Sequence, residues 1–143
     1  MSKTELSLDD RQAITDVMYQ FYWLVDQGRA AETAALFTPT ARLTFGPGAP
    51  KPGTLEGDSI PPAMAARQAQ TSVTTRHVLS NIRLTPRGDG SVEAYSLLTL
   101  FRSEDESRNS FPASVADIEE IFVRSADGWR VQERIILPIF NRA

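Results

Sequence analysis

Apolar residues recur at intervals of three and four in the N-terminal part of the chain. This spacing places them on one face of an α-helix. Asp9 or Asp10 can cap the start of this helix, and Gly28 is suited to its end. The pattern therefore predicts an amphipathic helix that runs to about Gly28. The apolar residues of its predicted buried face are Ile14, Val17, Met18, Phe21, Leu24 and Val25.

Weaker patterns follow in the next part of the chain. A short helix is predicted at about residues 30–37 and a short strand at about residues 41–45. Residues 46–58 are rich in glycine and proline, which predicts a loop. A third helix is predicted at about residues 59–70, because Pro61 suits the first turn of a helix.

The second half of the chain predicts strands. Asp-Gly pairs at 89–90 and 127–128 have the composition of hairpin turns, and residues 104–112 are predicted to form a longer charged loop. Helices followed by an antiparallel meander define the α+β class, with the helices packed on one face of a curved sheet. The four predicted strands are at about residues 73–86, 91–103, 113–125 and 129–139.

The last predicted strand is apolar on both faces. A sheet with one face in water alternates apolar and polar residues more cleanly. The pattern therefore predicts that the second face is buried in a homodimer, with a trimer as the second choice. A closed, barrel-like curl of the sheet is the alternative explanation. One face of this strand carries Trp129, Val131, Ile135, Leu137 and Ile139, and the other carries Ile136, Pro138 and Phe140.

The composition excludes several classes of protein. A chain of 143 residues is expected to form one domain, residues 1–143. The formal net charge of −3 and the lack of a basic run argue against nucleic acid as a partner. With no cysteine and one histidine, a multi-histidine or cysteine metal site within one chain is excluded, and no cofactor is expected. No segment of the sequence predicts a membrane span, so a cytoplasmic location is the default expectation.

The single histidine, His77, is the first candidate for proton chemistry, because imidazole exchanges a proton near neutral pH. Its candidate partner is Asp26 at the end of the first helix, with Tyr22 one turn earlier on the same side. In this hypothesis Asp26 fixes the tautomer of the imidazole, and the other ring nitrogen acts as a general base. Tyr22 would donate a hydrogen bond to a carbonyl or leaving group. His77 alternates in its strand with Thr75, Leu79 and Asn81.

Each candidate also has a structural interpretation. A lone histidine in a strand is more often a satisfied structural residue, and Asp26 can be a solvated side chain at a helix end. Tyr22 and Trp23 can be core residues. The charged residues of the last hairpin are expected to form cross-strand ion pairs, and they are Glu119, Glu120, Glu133 and Arg134.

Several short segments together resemble a known family. Their order and spacing over about residues 8–140 are similar to those of SnoaL-like proteins, which belong to the nuclear transport factor 2-like superfamily. The segments are 14–26 with Gly28-Arg29, 34–41, Gly57, 76–81, 122–124, 127–131 and Arg134.

This resemblance implies a cone-shaped fold, in which a curved antiparallel sheet packs on N-terminal helices around an apolar pocket. Two members, scytalone dehydratase and hexachlorocyclohexane dehydrochlorinase, abstract a proton with an Asp–His dyad at positions that match Asp26 and His77. The walls of the pocket are expected to include Trp23, Phe45, Met64 and Asn81. The chain lacks the additional histidines of the first enzyme and the first-helix lysine of the second, so dehydrochlorination is not expected.

The residues and the resemblance together predict a cofactor-independent lyase or isomerase. Its partner would be a small apolar molecule, aromatic, polyketide-like or steroid-like. Two other functions stay open. One is a non-catalytic module that holds a small hydrophobic ligand, and the other is an accessory subunit similar to the β subunit of ring-hydroxylating dioxygenases.

Overall fold

The first helix begins and ends close to its predicted bounds. The computed structural model describes residues 5–141, and its first helix, α1, spans Leu8–Asp26. The cap is Ser7 rather than Asp9 or Asp10, because the Ser7 hydroxyl oxygen accepts the backbone N–H of Asp10 at 3.0 Å. The two aspartates lie in the first turn, where the positive end of the helix dipole favours them.

The other helices are short. A 3₁₀ helix spans Ala30–Leu36, and Phe37 begins the first strand instead of ending this helix. Pro39 favours the extended chain here, because it restricts the residue before it to extended conformations. A 3₁₀ turn at Gly57–Ser59 leads into the second α-helix, α2, which spans Ile60–Gln68 and has proline near its start as predicted.

Six strands form one sheet in the order β2-β1-β6-β5-β4-β3. Neighbouring strands are antiparallel except β1 and β6, which are parallel. The sheet is curved and not closed, which confirms the α+β prediction and differs from the alternative of a closed curl. The glycine- and proline-rich segment contains a strand, β2, that its composition did not predict. The strands are β1 Phe37–Phe45, β2 Gly53–Glu56, β3 Thr74–Pro86, β4 Val92–Ser103, β5 Pro112–Ser125 and β6 Gly128–Asn141.

A bulge in β3 changes which side chains face the helices. Asn81 has a positive φ of 57°, and the pairing with β4 shifts register between Ser80 and Arg83. The extra residue reverses the alternation, so that Leu79 before the bulge and Ile82 after it both pack against the core. Bulges bend the strand that contains them, and this one therefore adds to the curvature of the sheet.

The apolar face of α1 packs against the inner face of the sheet, and Met18 and Phe21 share one hydrophobic core with Ile118 and Phe122 of β5. The start of the helix is also held by polar contacts. Asp10 accepts a hydrogen bond from Arg124 at 2.7 Å and another from the indole N–H of Trp129 at 3.2 Å. The hairpin of β5 and β6 therefore anchors the first turn of α1.

A charged pair is buried between the last two strands. Glu120 and Arg134 are register partners, and Nη1 of Arg134 lies 3.4 Å from Oε2 of Glu120. Cross-strand pairing of these charges is as the sequence predicts, but both side chains are fully enclosed. Burial raises the pKa of Glu120 and lowers the pKa of Arg134, because both charged forms lose their contact with water. The guanidinium also faces the rings of Phe21 and Tyr22, with its Cζ 4.1 and 4.7 Å from their centroids.

Removal of one partner of this pair should destabilise the fold strongly. Arg134→Ala should lower the free energy of unfolding by about 3–5 kcal/mol, because it leaves the Glu120 carboxyl group buried without its partner. Urea unfolding followed by circular dichroism measures this loss. Arg42→Ala, at the exposed Arg42–Glu56 ion pair, is the matched control and should cost less than about 1 kcal/mol.

The double variant Glu120→Met/Arg134→Leu separates the charge from the packing. It should be about as stable as the wild-type protein or more stable, since a hydrophobic pair of similar volume removes the desolvation cost. A loss for Arg134→Ala no larger than that for Arg42→Ala would contradict this account.

Candidate active site

His77 and Asp26 meet where the end of α1 packs against β3. Nδ1 of His77 lies 2.6 Å from Oδ1 of Asp26. Asp26 is the last residue of α1, and β3 turns His77 toward the helices together with Thr75 and Leu79. The side chains of His77 and Asp26 are 13% and 8% exposed, so the pair is largely removed from water. The structure thus brings together the two residues that the sequence analysis pairs.

Three hydrogen bonds surround the carboxylate of Asp26. Oδ2 accepts the backbone N–H of His77 at 2.9 Å, and Oδ1 accepts the hydroxyl of Thr75 at 2.8 Å as well as the contact from the His77 ring. Burial alone would raise the pKa of Asp26, but the hydrogen bonds from His77 and Thr75 outweigh it and the pKa is lowered. Asp26 is therefore ionised at neutral pH.

The charge on Asp26 determines the tautomer of His77. An ionised carboxylate only accepts hydrogen bonds, so the proton of the short contact must sit on Nδ1 of the imidazole. In the neutral ring Nε2 then has a free lone pair. This arrangement suits a general base, with Asp26 in place to stabilise the imidazolium that forms when Nε2 takes a proton.

Tyr22 lies against the imidazole. The two rings are stacked with centroids 5.0 Å apart and an angle of 28° between their planes. Tyr22 is buried, and its hydroxyl has no hydrogen-bond partner among residues 5–141. A buried hydroxyl is usually paired, so Tyr22 offers a donor that no described protein group uses.

Arg76 holds the end of α1 to β3. Its Nη1 donates to the backbone carbonyl of Asp26 at 3.2 Å and to that of Thr75 at 2.7 Å. The last carbonyls of a helix lack partners within the helix, and the negative end of the helix dipole favours a cation. The contact therefore stabilises the position from which Asp26 reaches His77.

The four residues expected to line the site differ in how deeply the structure buries them. Met64 is buried in the core that contains Tyr22, and Phe45 packs against that core. Trp23 is 49% exposed, with the guanidinium of Arg29 over its ring at 5.3 Å. Asn81 is exposed because the bulge ends the alternation that places His77 inward. The structure therefore places neither Trp23 nor Asn81 in the buried core.

The cavities do not coincide with the dyad. A cavity of about 300 Å³ lies between the start of β5 and the end of β6, lined by Phe111 and Phe140 among others. A second, of about 200 Å³, lies beside the first 3₁₀ helix and the start of α2. Neither includes Asp26 or His77. These two cavities therefore lie apart from the dyad, whose side chains are largely buried.

Other site types find no support among the described residues. Residues 5–141 contain no group of three or more histidine, aspartate or glutamate side chains arranged to hold a metal ion. Within the same range, no helix is both long enough and apolar enough to cross a bilayer.

Thr75 and Arg67, like Arg76, have no role in the sequence analysis. Thr75 contacts the carboxylate of Asp26, and Nη2 of Arg67 donates to the Thr75 hydroxyl at 3.0 Å. Thr75 has a weak signal in the sequence, since a residue two before His77 in a strand lies on the same face. Arg67 has none, because its approach depends on how α2 packs against β3.

The comparisons with known proteins agree with this fold. The model of the SnoaL-like domain family matches residues 6–135. The chain therefore belongs to the SnoaL-like domain family. No curated protein matches the sequence.

Solved structures of the same fold share little sequence with the chain. An NTF2-like protein with a cystatin-like fold from Novosphingobium aromaticivorans is 22% identical, with a TM-score of 0.77 over 95% of this chain and 86% of that one. A candidate scytalone dehydratase from the same organism is 17% identical, with a TM-score of 0.79 over 94% and 87%. A Catenulispora acidiphila protein in complex with S-DNPA is 17% identical, with a TM-score of 0.75 over 92% and 95%. At these identities the likeness establishes the fold alone.

The ionised state of Asp26 predicts a specific loss of stability in acid. A carboxyl group whose pKa is lowered by folding stabilises the fold above its unfolded pKa, and this contribution is lost as the pH falls through the folded pKa. Between about pH 5 and pH 3, Asp26→Asn should therefore lose less free energy of unfolding than the wild-type protein. Urea unfolding at each pH measures the difference.

Asp16→Asn is the matched control for this measurement. Asp16 is an exposed aspartate on the same helix, and its carboxylate accepts a hydrogen bond from Gln12 at 2.7 Å. This variant should follow the wild-type acid profile. The account of Asp26 would be wrong if both variants lost the same free energy as the wild-type protein over this pH range.

Proposed function

We propose that the protein is a cofactor-independent lyase or isomerase in which His77 abstracts a proton from a small apolar substrate. The observation that carries this proposal is the 2.6 Å contact between Nδ1 of His77 and the ionised Asp26, which leaves Nε2 as the basic nitrogen. The substrate class is aromatic, polyketide-like or steroid-like, because the neighbouring core side chains are apolar and aromatic.

His77, Asp26 and Tyr22 each have a separate role in the proposed reaction. Nε2 of His77 takes a proton from a carbon next to a carbonyl or a leaving group, and Asp26 stabilises the resulting imidazolium. In an elimination, the electron pair of the broken C–H bond forms a C=C double bond as the leaving group departs from the adjacent carbon. In an isomerisation, the electron pair is delocalised into the carbonyl group, the double bond shifts, and another carbon takes the proton. The imidazolium returns its proton to the leaving group or to that carbon. The hydroxyl of Tyr22 donates to the carbonyl or leaving-group oxygen.

The site must open for a substrate to bind. With His77 13% exposed, we expect neighbouring side chains to move when a ligand approaches Nε2. An interior that closes over the reacting atoms excludes water and strengthens electrostatic interactions. The S-DNPA complex of the Catenulispora acidiphila protein supports a small-molecule ligand for this fold.

A binding module without catalysis is the second candidate. The observation that favours it is the set of aromatic rings beside the dyad, in which Phe21 makes edge contacts with Tyr22 and Phe37. Such an interior can hold a small hydrophobic molecule with no need of a base. The two candidates differ in whether His77 exchanges a proton with the ligand.

Proton abstraction can be tested without knowledge of the natural substrate. Small cyclic and aromatic ketones and β-hydroxy ketones are incubated with the protein in D₂O, and mass spectrometry follows deuterium incorporation while absorbance follows conjugated products. His77→Ala and Asp26→Asn should each lower kcat/KM by about 10²–10⁴-fold, because one removes the base and the other removes the charge that orients it.

Two tyrosines of α1 provide the control. Tyr22→Phe should lower kcat more than it changes KM, since the hydroxyl of Tyr22 stabilises the negative charge that develops on the substrate oxygen in the transition state. Tyr19→Phe changes an exposed hydroxyl one turn earlier and should leave the rate unchanged. Full activity in His77→Ala would exclude proton abstraction by this residue and leave the binding module as the better account.

We also infer that the protein is a homodimer through the outer face of the sheet, with a trimer as the second choice. The outward side chains of Leu97, Ile121, Ile135 and Leu137 are only partly buried within one chain. Val78 and Phe140 at the end of the same sheet are more than half exposed. A stable interface of this kind buries at least about 1,200 Å² in total, and a second copy of this face supplies a matching apolar surface.

Light scattering coupled to size-exclusion chromatography should give twice the mass of one chain at micromolar concentration. Leu97→Lys, in the middle of β4, should shift the protein to the monomer, because it places a charge in the buried patch. Asp16→Lys on α1 should leave the dimer intact. A wild-type monomer at this concentration would overturn the inference, and circular dichroism verifies that each variant is folded.

A further inference from the structure

A chain of hydrogen bonds leads from α2 to the candidate dyad. Nη2 of Arg67, in the last turn of α2, is 3.0 Å from the Oγ1 atom of Thr75. The same Oγ1 is 2.8 Å from Oδ1 of Asp26, and this Oδ1 is 2.6 Å from Nδ1 of His77. Thr75 is almost fully buried, so water does not compete strongly for its hydroxyl. Three elements, α2, β3 and α1, thus meet at one threonine.

The donor and acceptor capacities of these groups fix the direction of every hydrogen bond in the series. A guanidinium group only donates hydrogen bonds, so Thr75 accepts from Arg67. The one hydroxyl proton of Thr75 is then free to point at Asp26, whose ionised carboxylate only accepts. Asp26 in turn requires the proton of the imidazole to sit on Nδ1. Each link therefore restricts the next one, and the last link leaves Nε2 unprotonated in the neutral ring.

We propose that Arg67 and Thr75 are positioning residues that hold the carboxylate of Asp26 against Nδ1 of His77 and thereby keep His77 in the tautomer with Nε2 free. Neither residue contacts the reacting atoms in this scheme. The effect on reaction rate rests on the proposed function, whereas the effect on the tautomer does not depend on any reaction.

Other charged groups near this series of hydrogen bonds do not change which atom of each bond donates and which accepts. On β3, Arg76 donates to backbone carbonyls rather than to the carboxylate of Asp26. On β4, Arg102 is the register partner of Thr75 and pairs with Glu104 at 2.6 Å. Burial lowers the pKa of Arg67 and the charge of Arg102 lowers it further, while Asp26 and Glu104 oppose this. Arg67 remains a donor in either case.

The test uses variants that remove one link at a time. Thr75→Val keeps the shape of the side chain and removes the hydroxyl, Thr75→Ser restores it, and Arg67→Met removes the outer donor. Thr74→Val, a neighbour on the exposed face of β3, is the matched control. The protein has one histidine, so the ¹⁵N signals of its ring in a labelled sample report the tautomer of His77 directly.

The expected result is a graded loss. The wild-type protein, Thr75→Ser and Thr74→Val should show the Nδ1–H tautomer at a pH where the ring is neutral. Arg67→Met should show a partial shift toward Nε2–H, and Thr75→Val a larger one. With a ketone that exchanges deuterium, kcat/KM of Thr75→Val should fall by about 10- to 100-fold. This is the range typical of residues that hydrogen-bond the group that orients a histidine, without contacting the substrate themselves. The pH dependence of kcat/KM should shift, which a merely structural role would not cause.

The outcomes separate this inference from the proposed function. An unchanged tautomer in Thr75→Val and in Arg67→Met would overturn the positioning role. A changed tautomer in these variants, together with full deuterium exchange in His77→Ala, would support the positioning role while rejecting the catalytic one. If Thr75→Val does not fold, the comparison of Arg67→Met with the wild-type protein decides between the same two results.

Discussion

An ionised carboxylate at the edge of the hydrophobic core is the constraint on which the site depends. Asp26 ends α1 beside an apolar interior, where a charge is costly unless donors surround it. The donors come from β3, as the backbone N–H and ring of His77 and the hydroxyl of Thr75. The hydrogen bonds to this one carboxylate therefore fix the end of α1 against β3, and they also fix the orientation of the imidazole.

The helix that carries Asp26 is held at both ends by groups of the sheet. Asp10 in the first turn accepts from Arg124 and Trp129, while Arg76 donates to the carbonyl of the last residue. Between these anchors the apolar face of α1 covers the inner face of the sheet. A helix restrained in this way presents its carboxylate to β3 with little freedom, which the proposed catalytic role of the pair requires.

Tyr22 links the dyad to a second buried charged group. Its ring stacks on His77 at 5.0 Å and lies 4.7 Å from the guanidinium of Arg134, which pairs with Glu120. The same fold supports many functions, so function must be argued from such side chains rather than from the sheet and helices. The rings of His77 and Tyr22 thus connect the Asp26 carboxylate to the buried pair of Arg134 and Glu120.

The sequence by itself determined the helix α1, four of the strands, the positions of the connections between them and the α+β class. It named Asp26 and His77 as candidate partners, and the family resemblance supported their pairing. The helix, the strands and their connections depend on local periodicity and residue type, which can be read directly from the sequence. Tertiary structure alone decided that Tyr22 is buried while Trp23 is exposed, because two adjacent aromatic residues differ only in which side of the helix meets the sheet. It also decided the bulge at Asn81, the contact of Arg67 with Thr75 and the full burial of Glu120, since each depends on how distant segments pack against one another.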